Sequence, residues 1–219
     1  MTSKFFIPFS IVQNLFMGYL CKPNKMTVLS TVNSSISLST LVSDFKEITK
    51  MRLSLSVVFS AVAGYLLGAI AVDIYTVLML ALGGYFMVGA SNAFNQIIER
   101  DLDALMDRTK NRPIPAGRMS VTTAFAIATI FTILGLVTLY IINERTAMYG
   151  AISIFLYTCV YTPLKTRTPL AVFVGAIPGA IPFMLGWVAA RNDFGIEPGT
   201  LFALQILWQF PHFWAIGWY

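Results

Sequence analysis

Asn95, Glu99 and Asp103 stand four residues apart where a long apolar stretch runs out, and Asp107 continues the step. Four-residue steps put side chains one above another on a helix face, about 6 Å apart along the axis. Stacked acids repel by about 0.2–0.5 kcal/mol per pair. The opposite charges at helical spacing are Arg100 with Asp103 and Asp107 with Lys110, so the stripe reads as lightly neutralised. Arg108, Lys110 and Arg112 follow at once, ahead of a Pro113-Ile114-Pro115-Ala116-Gly117 break. Carboxylate and amide oxygens suit Mg²⁺, which takes one or two ligands from a protein and the rest from water and phosphate. Arg offers phosphate a planar fork and Lys a point charge. Side by side, the two sets fit a cation holding a diphosphate. They also fit a solvated helix end followed by charges that fix loop topology.

Further chemistry lies downstream. Lys165 and Arg167, in Tyr161-Thr-Pro-Leu-Lys-Thr-Arg-Thr-Pro169, form a second basic segment, read either as a phosphate grip or as an orientation signal. His212 is the single histidine. It sits three residues after Gln209, so both share a helix face. Trp208, Phe210, Phe213, Trp214, Trp218 and Tyr219 surround them. Two readings stand: a hydrogen-bonded core histidine within an aromatic interfacial belt, or polar groups lining a pocket for a flat apolar molecule.

The elements that must carry these residues are membrane helices. The chain is 57% hydrophobic and 11% charged, against about 25% charged in a soluble domain. Its apolar runs are continuous rather than alternating, which excludes a β-barrel pattern. Lipid forces backbone polar groups to be satisfied internally, and helices do that within one segment. Runs at 53–72, 75–98, 121–142, 146–164, 170–190 and 200–219 approach the roughly 20 residues that cross a bilayer, giving six spans. Residues 44–51 read as an amphipathic interfacial helix. The loops on its side carry Lys46, Lys50, Arg52, Arg100, Arg108, Lys110, Arg112, Arg118, Lys165 and Arg167; the other side has Arg145 and Arg191. That bias places the acidic stripe on the cytoplasmic face. The net charge of +5 is therefore a topology signal and not a nucleic-acid one. Residues 1–43 contain no acid and a dense Ser/Thr run, and read as a poorly ordered leader. Cys21 and Cys159 are too few for a disulfide framework, and Cys159 reads as a small core residue. Gly175, Pro178, Gly179, Pro182 and Gly186 suit close helix packing or a bend around a ligand.

Through Asn95-Gln-Ile-Ile-Glu99-Arg-Asp-Leu-Asp103 and Asp107-Arg-Thr-Lys-Asn-Arg-Pro-Ile-Pro-Ala-Gly-Arg118 the chain resembles the UbiA superfamily of intramembrane prenyltransferases. Those carry Asn-x-x-x-Asp-x-x-x-Asp here; Glu99 replaces the first Asp. The likeness is greatest to the haem-farnesylating branch. It is carried by Asp44-Phe-Lys-Glu-Ile-Thr-Lys-Met-Arg-Leu53, by Tyr161–Pro169 with Gly175-Ala-Ile-Pro-Gly-Ala-Ile-Pro182, and by Trp208-Gln-Phe-Pro-His-Phe-Trp214. Quinone prenyltransferases usually have an acid where His212 stands, and the branch often has Pro where Met51 stands.

The resemblance implies an all-α polytopic bundle in the cell inner membrane, spanning residues 44–219, with about six of the family's nine spans. A second acidic motif, found in the family just beyond the sixth span, falls past Tyr219, so the domain is expected to be incomplete. The implied substrates are farnesyl diphosphate and haem B, the product haem O, and the cofactor Mg²⁺. Implied partners are haem A synthase and terminal oxidase assembly. Asn95, Glu99 and Asp103 would hold Mg²⁺ and diphosphate, with Arg108, Lys110 and Arg112 assisting and His212 near the haem. The competing readings are a quinone-type prenyltransferase and a non-catalytic haem- or lipid-binding membrane subunit.

Overall fold

A computed structural model describes residues 38–218, apart from the side chains of Trp214 and of residues 216–218. The leader expected at 1–43 thus falls, for its first 37 residues, outside the described residues, as do the side chains of Trp214, Trp218 and Tyr219. Every regular element among the described residues is helical.

Helix α1, Leu38–Ile48, starts six positions before the interfacial helix expected at 44–51. Leu41, Val42, Phe45 and Ile48 repeat at three- and four-residue steps, and Ile48 is fully buried while the first three remain exposed. The chain then turns through Lys50, in the left-handed region at φ 45° and ψ 56°, into α2, Met51–Gly68.

Helix α3, Ile74–Ile98, opens on Asp73. The Asp73 carboxylate accepts the Thr76 hydroxyl at 2.6 Å and the backbone N–H groups of Tyr75 and Thr76 at 3.2 and 3.1 Å. Those bonds, the Thr76 hydroxyl foremost, lower its pKa. A short α4, Arg100–Asp103, extends α3. Ser120 caps α5, Val121–Ile142, and Asn143 caps α6, Glu144–Phe155. Such caps satisfy N–H groups that a first helical turn leaves unpaired.

The fourth expected span is not a plain α-helix. After α6 the chain widens into a π segment, Leu156–Tyr161, before the single turn α7, Thr162–Leu164. Pro163 cannot donate to the carbonyl four residues back, and its ring crowds that carbonyl, so the ladder rearranges just ahead of it. Helix α8, Ala171–Arg191, runs unbroken through Pro178 and Pro182, and α9 covers Ile196–Trp218. Among the described residues five segments are long and apolar enough to cross a membrane: 51–68, 74–98, 121–142, 144–164 and 171–191. They match the first five expected runs to within a few residues; α9 occupies the sixth.

Helix α3 packs along α5, α2 along α8, and α9 chiefly on α8. Tyr65, Leu80, Met87, Leu139, Ile181 and Leu185 meet in the main core. The α2–α8 contact is closest where Gly64 and Gly186 face each other's helices. A Cβ on Gly186 would strike the carbonyl oxygen of Ala61, and one on Gly64 that of Phe183. Small residues at such crossings bring backbones together when lipid supplies no hydrophobic drive between helices. Cys159, expected in the core, lies in the π segment and is exposed instead.

Candidate active site

The acidic stripe sits where α3 ends. Backbone bonds from Glu99 N–H to Asn95 O (2.9 Å) and from Asp103 N–H to Glu99 O (2.8 Å) keep the four-residue step. Asn95 and Asp103 are 3% exposed and Glu99 7%, so these three do not form an ordinary solvated helix end. The stripe stops there. Asp107 lies past the last helical turn with its side chain 99% exposed, paired with Lys110 at 2.7 Å.

The stripe is also far from lightly neutralised. Lys165 Nζ donates to both oxygens of Glu99, at 3.1 and 3.2 Å. Arg112 Nη1 donates to Asp103 Oδ2 at 2.6 Å. Arg100, expected to serve Asp103, lies beside Asp101 at 3.6 Å, because Asp103 is turned inward to Arg112. Sequence spacing sees only partners on the same helix. These two cations arrive from separate loops, nine and 66 residues away.

The same geometry sorts the other expected residues. Lys165 and Arg112 join the cluster. Arg108 and Arg167 are exposed and enter no ion pair among the described residues, and Lys110 is held by Asp107. Asn95 Nδ2 donates to Thr162 Oγ1 at 3.4 Å, and Thr162 Oγ1 in turn donates to Tyr157 O at 2.8 Å. The π segment is thereby tied to the acidic stripe. Such segments often sit at functional sites.

Beside this cluster lies a cavity of about 270 Å³ lined by Asn92, Ser153, Tyr157, Tyr161, Gln209 and His212, among others. Gly175 and Gly179 make room for it: a Cβ at Gly175 would stand 2.6 Å from the Tyr161 ring, and one at Gly179 2.7 Å from Gln209 Nε2. Gln209 and His212 therefore share a face and a pocket, as their spacing predicts. His212 is exposed rather than a buried core histidine, since α9 packs chiefly on one neighbour.

Three residues of the site were given no role by the sequence. Tyr157 and Tyr161, with ring centroids 5.3 Å apart, line the cavity; their four-residue step just before Thr162-Pro163 was a usable signal. The third, Lys50, was visible only as a loop charge. It lies in the field of Arg112, Lys165, Glu99 and Asp103.

The donor set fits a hard divalent cation. The Asn95 amide donates to Thr162 through its nitrogen, so its oxygen is the end left to coordinate. Glu99 and Asp103 add carboxylates, and no group of three His, Cys, Asp or Glu side chains suited to a metal occurs among the described residues. A site so sparse in protein ligands suits Mg²⁺, which keeps waters and phosphate oxygens.

The sequence pattern of the UbiA prenyltransferase family matches residues 57–219. The chain belongs to that family. Curated relatives include the protoheme IX farnesyltransferase of Christiangramia forsetii, 75% identical over 181 residues, covering 83% of this chain and 60% of the relative. That of Flavobacterium psychrophilum is 71% identical over 194 residues, covering 87% and 65%. The UbiA-family chain thus spans 60–65% of the length of these relatives. Among solved structures, a digeranylgeranylglyceryl phosphate synthase aligns with TM-score 0.69 at 22% identity, over 76% of this chain and 58% of that one. A UbiA homolog from Archaeoglobus fulgidus, solved with DMAPP and Mg²⁺, aligns with TM-score 0.64 at 19% identity, over 77% and 62%. These structural likenesses establish the fold.

Proposed function

We propose that the protein transfers the farnesyl group of farnesyl diphosphate to a vinyl group of haem B, forming haem O, with Mg²⁺ as cofactor. One observation carries the reading: two buried carboxylates, each held by a cation from another loop, stand beside a cavity lined by Tyr157, Tyr161, Gln209 and His212. The high identity to relatives bearing the name protoheme IX farnesyltransferase supports haem as the acceptor.

Asn95, Glu99 and Asp103 would hold Mg²⁺, which when bound neutralises charge on the diphosphate. Arg112 and Lys165 stabilise the negative charge that grows on the leaving oxygen as the allylic C–O bond breaks. Fixed donors aimed at developing charge are usually the largest catalytic term. Tyr157, Tyr161 and the apolar walls keep water from the allylic cation. The vinyl carbon then bonds to the farnesyl C1. Water adds at the adjacent carbon and loses a proton, giving the hydroxyethylfarnesyl product. His212 and Gln209 orient the haem. Arg108, Lys110 and Arg167, exposed at the same loops, draw the anionic diphosphate toward the site.

We place the acidic motif on the cytoplasmic side of the cell inner membrane, following the ten-to-two Lys/Arg bias of the loops. Haem A synthase and terminal oxidase assembly are the partners that would consume haem O. The test is product analysis with Mg²⁺, farnesyl diphosphate and haem B in membranes holding the protein. Haem bearing a hydroxyethylfarnesyl group, with one pyrophosphate released per turnover, is expected. Prenylation of an aromatic acid instead would reassign the acceptor, and no pyrophosphate release would refute the transferase reading.

A further inference from the structure

The turn between α1 and α2 is built with more polar machinery than a loop needs. Gln96 Nε2, on α3, donates to Glu47 O at 3.2 Å and Ile48 O at 3.0 Å. Asn92 Nδ2, one helical turn earlier, donates to Thr49 O at 3.4 Å and Ser54 Oγ at 3.5 Å. Ser54 Oγ donates to Thr49 O at 2.7 Å. Gln96 is 0% and Asn92 1% exposed. Gln96 commits its amide nitrogen to the turn and leaves its oxygen buried without a partner, which is costly. The held residue, Lys50, is a non-glycine in the left-handed region at φ 45°, a further cost. Costs of this kind persist when surrounding contacts enforce them, and they cluster where function needs a fixed geometry.

Lys50 is what this turn delivers. Its ammonium lies in the field of four charges: Arg112, Lys165, Glu99 and Asp103. Glu99 already has Lys165, and Asp103 already has Arg112. Lys50 is therefore the surplus cation of a group with three positive and two negative charges. It enters no ion pair among the described residues. Burial, and then repulsion by Arg112 and Lys165, lowers its pKa to about 8. The turn that Asn92 and Gln96 hold thus brings a third cation to a group whose two carboxylates each already have a partner.

We propose that Lys50 is a substrate-contacting cation of the diphosphate site, and that Asn92 and Gln96 are positioning residues that hold its turn against α3. The division of labour follows from helix geometry. Asn95 and Glu99 form one stripe of α3, and Asn92 and Gln96 the adjoining stripe. The C-terminal end of α3 thus fixes both the turn that carries the third cation and the acidic stripe that continues into α4. The proposal rests on the diphosphate reading of the site.

The test is calorimetric titration of the purified protein in detergent micelles with Mg²⁺–pyrophosphate, alongside thermal unfolding. Lys50→Met weakens binding by about tenfold or more, the effect of one charge-assisted contact. Lys50→Arg recovers most of it. Lys46→Met, on exposed α1, leaves affinity unchanged. Gln96→Met weakens binding severalfold, and the Lys50→Met/Gln96→Met double variant binds no more weakly than Lys50→Met alone. A merely structural glutamine would show additive losses. Unchanged affinity in Lys50→Met overturns the proposal, as does a loss that follows the melting temperature and is not recovered by Lys50→Arg. If the unaltered protein binds no pyrophosphate while Mg²⁺ is present, the diphosphate reading falls and this proposal with it.

Discussion

Asp103→Asn and Glu99→Gln each remove one buried negative charge, yet the two variants should separate in stability. The Arg112 side chain is 19% exposed and that of Asp103 5%, with 2.6 Å between them. Losing the carboxylate leaves a largely buried guanidinium facing a neutral amide. A hydrogen bond between charged groups contributes about 1.5–3 kcal/mol, and a fully buried orphan charge costs about 3–5 kcal/mol. With Arg112 partly wetted, the loss should be about 2–3 kcal/mol. The Glu99 side chain is 8% exposed, but that of its partner Lys165 is 48% exposed and can turn to water. That pair is screened and should contribute about 0.2–1 kcal/mol. Asp103→Asn should therefore be less stable than Glu99→Gln by about 2 kcal/mol, roughly 30-fold in the folding equilibrium. Reversible denaturation in mixed micelles, followed by circular dichroism, reads this directly. Pyrophosphate release from farnesyl diphosphate with Mg²⁺ should fall by about two to three orders of magnitude in both. Equal stabilities, or a larger loss for Glu99→Gln, would refute the burial argument. Unchanged release in both would refute the site.

Three further outcomes follow from single contacts. Gly186→Ala drives a Cβ into the Ala61 carbonyl and within 2.6 Å of Tyr65 N, both backbone atoms, so α2 and α8 must part at about 2–3 kcal/mol; denaturation midpoints measure it. His212→Ala should weaken haem B retention by about tenfold while leaving Mg²⁺–pyrophosphate binding unchanged, as seen by haem absorbance and calorimetry; equal losses would make the residue structural. Lys50 titrates at 10.5 in an open chain and about 8 in the folded protein. Between those values the unfolded chain holds a proton that the folded chain has released, so stability rises with pH across that window. Unfolding at roughly pH 7.5 and about pH 10 should show the rise, and Lys50→Met should abolish it.

The bilayer made much of this protein legible as sequence. A continuous apolar run can only be a helix there, so five spans were readable to within a few residues, and loop Lys and Arg gave them a proposed orientation. The four-residue step of Asn95, Glu99 and Asp103 is local geometry, and the helix preserved it. So is the shared face of Gln209 and His212. What spacing could not supply is which loop folds back on which. Lys165 meets Glu99 across 66 residues, and Lys50 reaches the same cluster because Asn92 and Gln96 bind the backbone of a turn more than 40 residues away. Those unions depend on two helices approaching through Gly64 and Gly186, on a ladder widened before Pro163, and on buried amides that find carbonyls. Helix type follows from a residue's near neighbours and its solvent. Charge pairing depends on packing between elements, and that is decided only when the whole bundle closes.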